Sequence, residues 1–409
     1  MKVVYAREPF PDTFSKAIFL AGPTPRSKDV DSWRPEALDI LASAGYDGAV
    51  FVPENGDGSP SFNYLHQIEW EERGLRMADG IVFWVPRELK TMPAFTTNIE
   101  WGVWQDSGKC VLGSPADTPK MAYLQSYADK LGVARADTLN ETIDAVLELV
   151  GEDATRRGGE REVPLHIWRK KEFQQWYQSQ LQAGNRLDGA ELNWQFKTGQ
   201  NRSLFCWAMK VNVFIPSEDR WKSNEVIIAR PDISAVCAIH LAESPLDSKV
   251  VLVREFRSPA STPDGFIHEL PGGSSPVAET TRCDVAAEEL EQETGVAISA
   301  DRFREHSNRQ CAATMLTHRA SLFSVELTAE ELTIFEDRID KRFGEDNSER
   351  TYVEVRTIAE ILACNDIDWV HVGMILTVLH EIQLAKCLLS RLSQKMPAYL
   401  LSTGQSRLD

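Results

Sequence analysis

Two sets of carboxylates have types and spacings that could do chemistry. The first is Asp79, which opens the apolar run Ala78-Asp79-Gly-Ile-Val-Phe-Trp-Val85, with Glu100 in Asn98-Ile-Glu-Trp-Gly102. A carboxylate held in a crevice can attack an anomeric carbon while a second one manages the proton. The second is the stretch Gly273-x5-Glu279-x8-Glu288-Glu289-Leu290-x-Gln292-Glu293-x-Gly295-Val296. Glu289 and Glu293 are four apart and so share a helix face. Two carboxylates on one face beside the glycine-rich turn Leu270-Pro-Gly-Gly273 form a hard-oxygen site suited to Mg2+ or Mn2+, ions that also bind phosphates. Taken singly, an Asp before a strand or a Glu near a helix start is a cap or a dipole partner.

The elements that would position these residues fall into two styles. Up to residue 150, short apolar strands alternate with helices. The strands are Lys16–Leu20, Ala49–Val52, Gly80–Val85 and Cys110–Leu112; the helices are Trp33–Ala44, Tyr64–Met77, Thr97–Gln105 and Leu139–Val150. Continuous apolar strands alternating with helices predict a parallel sheet covered on both faces, whose ligands bind beyond the carboxyl ends of the strands. Gly22-Pro23-Thr24, Pro53-Glu54, Pro86 and Gly113-Ser114 would then ring one crevice, with Asp79 and Glu100 facing it. Residues 151–162, GEDATRRGGERE, read as a linker, giving domains over 1–152 and 163–393.

The second part is predicted to be α+β with a mixed sheet. A polar-aromatic helix runs over Val163–Gln182. Strands follow at Lys210–Ile215, Glu225–Ala229, Ser234–Leu241, Val250–Arg254, Ala320–Leu327 and Thr351–Val355. The helices are Ala278–Glu293 and Val370–Leu384.

The 409 residues carry 44 Lys and Arg against 61 Asp and Glu, a formal charge of −17 that opposes binding to nucleic-acid polymers or an anionic membrane. Apolar runs are too short to span a bilayer, the first twelve residues lack a signal-peptide core, and the 7 cysteines include no Cys-x-x-Cys pair. The expectation is a cytoplasmic protein with small-molecule partners. Arg26, Lys28 and Arg34 are candidates to receive a 5′-phosphate or, equally, form a solvated face; Glu71-Glu72-Arg73 reads as a solvated helix face.

Ile18-Phe-Leu-Ala-Gly-Pro23, the Ala78-Asp79 strand, Asn98-Ile-Glu-Trp-Gly102 and Ser107-Gly-Lys-Cys-Val-Leu112 together resemble the nucleoside 2-deoxyribosyltransferase-like family, which includes nucleotide N-glycosidases. The resemblance covers Ile18 to about Leu124. It implies a doubly wound, flavodoxin- or Rossmann-like α/β domain with Glu100 as nucleophile. Asp79 would hold the sugar or handle the proton, and Gly22, Pro23, Thr24, Asn98 and Arg26 would contact substrate. Ala94 stands where transferases of the family carry an Asp six residues before the nucleophile, which leaves hydrolysis as well as transfer open.

The second motif resembles the Nudix hydrolase signature, G-x5-E-x7-R-E-U-x-E-E-x-G-U, with one extra residue after Glu279, Glu288 in place of Arg and Gln292 in place of Glu. With Val251–Arg257 and Gly344–Arg350, the segment is most similar to ADP-ribose pyrophosphatase-type members. That resemblance implies Mg2+ (or Mn2+) held through Gly272, Glu289, Gln292, Glu293 and Glu349, with Glu289 and Glu349 in catalysis and Glu345 and Glu279 as further candidates. The joint expectation is a bifunctional, nucleotide-processing enzyme, with homo-oligomers common in both families. Two other readings stay open: a single-activity enzyme in which one domain only binds ligand, and a nucleotide sensor.

Overall fold

Strand-forming β-branched and aromatic runs bounded by Gly and Pro organise the first 150 residues into a parallel sheet. The computed structural model describes residues 1–26, 29–56, 64–199, 203–274, 281–344 and 349–395. It divides into two compact units, Met1–Arg230 and Pro231–Asp409.

In the first unit the elements are β1 (Lys2–Tyr5), β2 (Thr13–Phe14), β3 (Ala17–Ala21), α1 (Arg34–Ser43), β4 (Ala49–Val52), α2 (Tyr64–Met77), β5 (Gly80–Trp84), α3 (Phe95–Trp104), β6 (Cys110–Gly113), α4 (Ala122–Leu131), β7 (Arg135–Ala136) and α5 (Leu139–Val150). Six strands pair in the order β1-β4-β3-β5-β6-β7, all parallel. Successive strand residues point to opposite faces, so each strand feeds two cores. Phe19, Phe51 and Phe83 pack with Trp70, Trp101 and Leu124 of α2, α3 and α4. Leu20, Val50 and Val82 pack with Leu41 of α1 and Ile143 and Val146 of α5. The sheet is doubly wound, as expected, and the winding direction switches between β3 and β5.

The same unit continues through β8 (Arg156–Arg157), a 3-10 turn (Gly158–Glu162), α6 (Leu165–Trp168), α7 (Lys171–Gln182), β9 (Arg186–Thr198), β10 (Ser203–Ile215) and β11 (Arg220–Ala229). The last three form an antiparallel sheet, β11-β10-β9. Its core joins Phe173 and Tyr177 of α7 to Leu187, Trp207 and Met209. The expected break at 151–162 therefore lies inside this unit, and Val163 to Arg230 belongs with the parallel sheet in contact terms. Buried polar anchors hold it there: Arg156 bonds Asp79, the Leu165 amide donates to Asp79 at 3.0 Å, and Arg169 donates to the Val150 carbonyl at 2.8 Å. The single helix expected over Val163–Gln182 is two, because residues at Arg169 and Lys170 leave the helical ladder.

In the second unit β12 (Ile233–His240), β13 (Lys249–Phe256), β14 (Phe266–Glu269), β15 (Gly272–Gly273), α8 (Arg282–Thr294), β16 (Arg304–Gln310), β17 (Arg319–Glu326), α9 (Ala329–Glu336), β18 (Arg342–Phe343), β19 (Thr351–Thr357), α10 (Ile358–Ala363) and α11 (Trp369–Lys395) surround one mixed sheet. Its path is β16-β17-β12-β13-β19-β18, with β14 on β13 and β15 on β12. The β12–β17 pair is parallel and the rest antiparallel. One face packs against α8 and α9 through Leu290 and Phe335, the other against α10 and α11 through Ile361 and Val378. Helix α8 starts later than the expected Ala278, with Thr281 as its N-cap accepting from the Asp284 amide; Glu279 and Ala278 lie outside the described residues. Among the described residues no helix is long and apolar enough to cross a membrane.

Candidate functional site

The carboxyl ends of β3 and β4 flank a pocket of about 180 Å3 lined by Gly22, Pro23, Thr24, Arg26, Glu71 and Glu100, among others. Gly22 sits at φ +150, and a Cβ there would overlap the Trp84 carbonyl and the Trp33 ring, so only glycine allows the chain to turn this close to β5. Arg34, at the start of α1, is fully buried and locks the turn: it donates to Leu20 O at 3.1 Å, Gly22 O at 2.8 Å, Thr24 Oγ1 at 3.2 Å and Glu54 at 2.5 Å. With its donors committed to these groups, Arg34 shapes the loop rather than forming a solvated face. Arg26 stays at the pocket wall, its guanidinium 5.4 Å from the Phe95 ring centroid. Lys28 lies outside the described residues.

Helix α3 brings Glu100 to this pocket. Ala94, its N-cap residue, takes a left-handed φ of +61 without a side-chain cap and lines the same pocket. Burial raises the Glu100 carboxyl to about 7; the nearby Glu71 raises it further and Arg34 opposes the rise. Glu71, on α2, is raised too, chiefly by burial, while a hydrogen bond from Gln67 at 2.7 Å and the charge of Arg34 oppose the shift. Gln67 also donates to the Pro53 carbonyl at 3.2 Å, which fixes its amide against β4. Glu71 therefore belongs to the site and not, as its charge run suggested, to a solvated face. Its sequence signal was weak, since a helix turn of like charges looks the same whether it faces water or a pocket.

Asp79 is the main correction. It precedes β5, so it stands at the amino end of the sheet, whereas Gly22 and Glu100 stand at the carboxyl end. Its two oxygens accept from fully buried Arg156 at 2.9 and 2.5 Å, from the Ala17 amide at 2.9 Å and from the Leu165 amide at 3.0 Å. Every contact is scaffolding, and Asp79 does not line the Glu100 pocket. Asn98 is also turned away from it. Two residues along a helix rotate the side chain by about 200°, and the Asn98 Oδ1 accepts from Arg87 at 2.6 Å on the other side of α3. Trp33, Trp84 and Trp101 are buried in the two cores, whereas Trp104 reaches a cavity wall beside Glu100 and is placed to stack on a base.

Glu71 and Glu100 also line a second, larger cavity of about 630 Å3. Ile99, Val103 and Trp104 of α3 form one wall, and Trp194 and Gln195 of β9 contribute to the rim. Gln195 ties β9 to the parallel-sheet part by donating to the Asp106 carbonyl at 2.8 Å and bonding His166 at 3.1 Å. Strand β9 escaped the sequence reading because its run, RLDGAELNWQFKT, mixes charges with apolar residues without clean alternation.

The shift of Glu100 makes a stability prediction. A carboxyl with an ordinary value near 4.5 unfolded and about 7 folded holds more protons when folded, so stability is present below 4.5 and is lost as pH rises towards 7. Glu100→Gln should therefore stabilise the first unit near neutral to mildly alkaline pH by on the order of 1–2 kcal/mol given the residue's partial exposure, seen as a higher thermal midpoint, and by little at acid pH. Calorimetry across pH checks this; equal midpoints at every pH would refute the buried-carboxyl account.

In the second unit, α8 turns Glu289 and Glu293 inward, while Glu288 and Gln292 are exposed on its flank. The Gly272 amide donates to Glu293 Oε2 at 3.0 Å, and a Cβ on Gly273 would collide with the Glu289 carboxylate. Glu293 is buried and raised well above its ordinary value by burial, then by Glu269 and Glu289. Glu289 is raised by burial and then by Glu349, which is exposed. Glu255, raised to about 7 by burial, also feels Glu269 and Glu349, with Arg257 opposing. Arg257 pairs with both Glu255 and Glu269 at 2.9 Å. Glu255 and Glu269 were not anticipated, although they flank the glycine turn on β13 and β14. Among the described residues no group of three His, Cys, Asp or Glu side chains is arranged to hold a metal ion. Glu345 and Glu279 lie outside the described residues.

Residues 15–118 match the family model described as nucleoside 2-deoxyribosyltransferase like. The span contains Gly22, Thr24, Arg26, Glu71 and Glu100, and ends before the antiparallel sheet. No curated protein matches the chain.

Proposed function

We propose that the first unit cleaves, or transfers across, the N-glycosidic bond of a nucleoside or nucleotide, with Glu100 as nucleophile and Glu71 as its acid–base partner. The observation that carries this is the pairing of the two carboxylates in one pocket beside the Gly22 turn, inside the span similar to nucleoside 2-deoxyribosyltransferases. Like charges that share a poorly solvated site hold a proton between them near neutrality. One ionised carboxylate can then attack C1′ as the C–N bond breaks, while the other carboxyl delivers its proton to the departing base. Water, deprotonated by that same partner, attacks C1′ and displaces the Glu100 carboxylate in hydrolysis; in transfer a ring nitrogen of a second base does so, giving its N–H proton to that partner. The small pocket suits the sugar, with Arg26 placed for a hydroxyl or a 5′-phosphate. The larger cavity, with Ile99, Val103 and Trp104, suits the base.

For the second unit the reading is a Nudix-like hydrolase of nucleoside diphosphate derivatives such as ADP-ribose. The glycine turn before α8 and the inward face of Glu289 and Glu293 support it. The donors are carboxylate oxygens, the type Mg2+ or Mn2+ takes, although the described side chains are not gathered into a three-ligand cluster: burial raises Glu255, Glu289 and Glu293, with Glu349 adding to the rise of Glu289 and Glu269 to that of Glu293, and Arg257 opposing the rise of Glu255. Glu289, Glu293 and Glu349 would hold the ion, with exposed Gln292 and the Gly272 carbonyl as further candidates. When bound, such an ion polarises a pyrophosphate and lowers the pKa of water. Arg257 orients Glu255 and Glu269 and offsets their charge. Incubation of the protein with ADP-ribose and Mg2+ should release AMP; Glu293→Gln should lower the rate about 100-fold or more and leave base release untouched. No metal-dependent monophosphate release would remove the hydrolase reading.

A further inference from the structure

On the side of α3 opposite Glu100 there is a third, independent cavity of about 530 Å3, lined by Arg87, Trp101, Gln105, Lys120, Tyr123 and Tyr127, with Asn98 also contributing. Three of these residues carry a buried polar atom with no hydrogen-bond partner among the described residues: Arg87 Nε, Trp101 Nε1 and Gln105 Oε1. Arg87 is 6% exposed and Trp101 4% exposed. Unpaired buried polar groups are rare because each costs about 1–3 kcal/mol. Two of the three, Arg87 Nε–H and Trp101 Nε1–H, are donors that line this cavity together, while Gln105 Oε1 is an acceptor left for a hydroxyl or N–H.

The electrostatics specify the missing partner. Arg87 donates to the Pro119 carbonyl at 3.3 Å, the Lys120 carbonyl at 2.8 Å and Asn98 Oδ1 at 2.6 Å, all neutral acceptors. Among the described residues no carboxylate pairs with it, and burial alone lowers its pKa. A buried guanidinium without a counter-charge is stabilised by an anion, and Lys120 brings a second cation to the same cavity. The Trp101 indole N–H adds a neutral donor. Opposite these, Tyr123 and Tyr127 stack obliquely with centroids 5.3 Å apart, and Tyr123 is 74% exposed at the rim. A lining with buried Arg87 and Trp101 N–H donors and an exposed Tyr123 ring beside Tyr127 matches a flat molecule that carries an oxyanion at one end.

We infer that this cavity is a binding site for a ring-bearing oxyanion, an aryl carboxylate or an aromatic phosphate monoester, separate from the Glu71–Glu100 pocket. The oxyanion takes Arg87 Nε–H and the Trp101 N–H, and the ring lies on Tyr123 and Tyr127. Because Trp101 adjoins Glu100 on α3, occupancy bears on the helix that carries the nucleophile.

The test is calorimetric titration of the full chain with AMP, benzoate and inorganic phosphate. AMP or benzoate should bind saturably and inorganic phosphate more weakly, and the order of AMP and benzoate identifies the phosphate or the carboxylate as the anion. Tyr123→Ala, a change at an exposed position, should weaken binding several-fold. Arg87→Gln should weaken it by about tenfold or more, the cost of a charged hydrogen bond. Trp101→Phe, which keeps the core filled, covers the case in which Arg87→Gln does not fold, and should weaken binding about fivefold. Arg26→Ala, which removes the cation of the Glu71–Glu100 pocket, should leave this binding in place. The inference fails if none of the three probes binds at millimolar concentration. It also fails if Tyr123→Ala and Trp101→Phe bind as the unsubstituted chain does, if Arg26→Ala abolishes the binding, or if Tyr123→Ala changes only the oligomeric state.

Discussion

Replacing Glu100 by Gln should abolish release of free base from nucleoside and nucleotide substrates, a loss of at least about 10³-fold in kcat with little change in KM. The amide keeps the shape of the side chain and its place on α3, so substrate should still enter beside Gly22. It removes the nucleophile, and no other carboxylate takes over, because Glu71 is held on α2 by Gln67 and by the field of Arg34. Glu71→Gln should behave differently. It should lower kcat by about 10²–10⁴-fold and shift the pH profile, since removing a neighbouring negative charge lets Glu100 ionise at lower pH. The comparison separates nucleophile from acid–base partner: small azide should rescue Glu71→Gln, by attacking a glycosyl ester that forms slowly but still forms, and should not rescue Glu100→Gln. Chromatography of the bases and of any glycosyl azide checks both. Undiminished base release in Glu100→Gln would sink the assignment. A substrate panel with and without a second base distinguishes hydrolysis from transfer.

The second large effect is on stability. Asp79→Ala should destabilise the first unit by about 3–5 kcal/mol, because it strands fully buried Arg156 without its counter-charge. It also removes the acceptor for the Ala17 and Leu165 amides, which leaves two further donors unsatisfied. The effect should appear as a lower midpoint for the first unit's transition in urea or heat, and the segment from Arg156 to Leu165 should lose protection from hydrogen exchange first. Under conditions where the variant is folded, base release should stay within a few-fold of the original. A variant of unchanged stability that had lost base release would return Asp79 to the chemistry.

The doubly wound half was legible because its strands are short, continuously apolar and punctuated by Gly and Pro, features that local sterics and burial impose directly. The place of Gly22, Pro23, Thr24 and Arg26 followed, since residues after a parallel strand must lie at its carboxyl end. So did Glu100, in a helix after β5. The inward face of Glu289 and Glu293 followed from helical periodicity. By contrast, strands β9 and β16 carry charges and amides that interrupt the alternation, and their pairing is decided by the neighbouring strand.

What the sequence determined by itself was the set of elements and the end of the sheet each loop occupies, because backbone period and chain direction are local properties. Only the tertiary structure decided which carboxylate joins Glu100. Asp79 and Glu71 are both acidic and both lie upstream, but one precedes a strand and is captured by Arg156 some 77 positions away, while the other meets the pocket through the packing of α2. It also decided that Asn98 faces Arg87, and that the segment from Val163 to Arg230 belongs to the first unit. Charge pairing and desolvation depend on groups far apart along the chain, so no spacing rule could have assigned them.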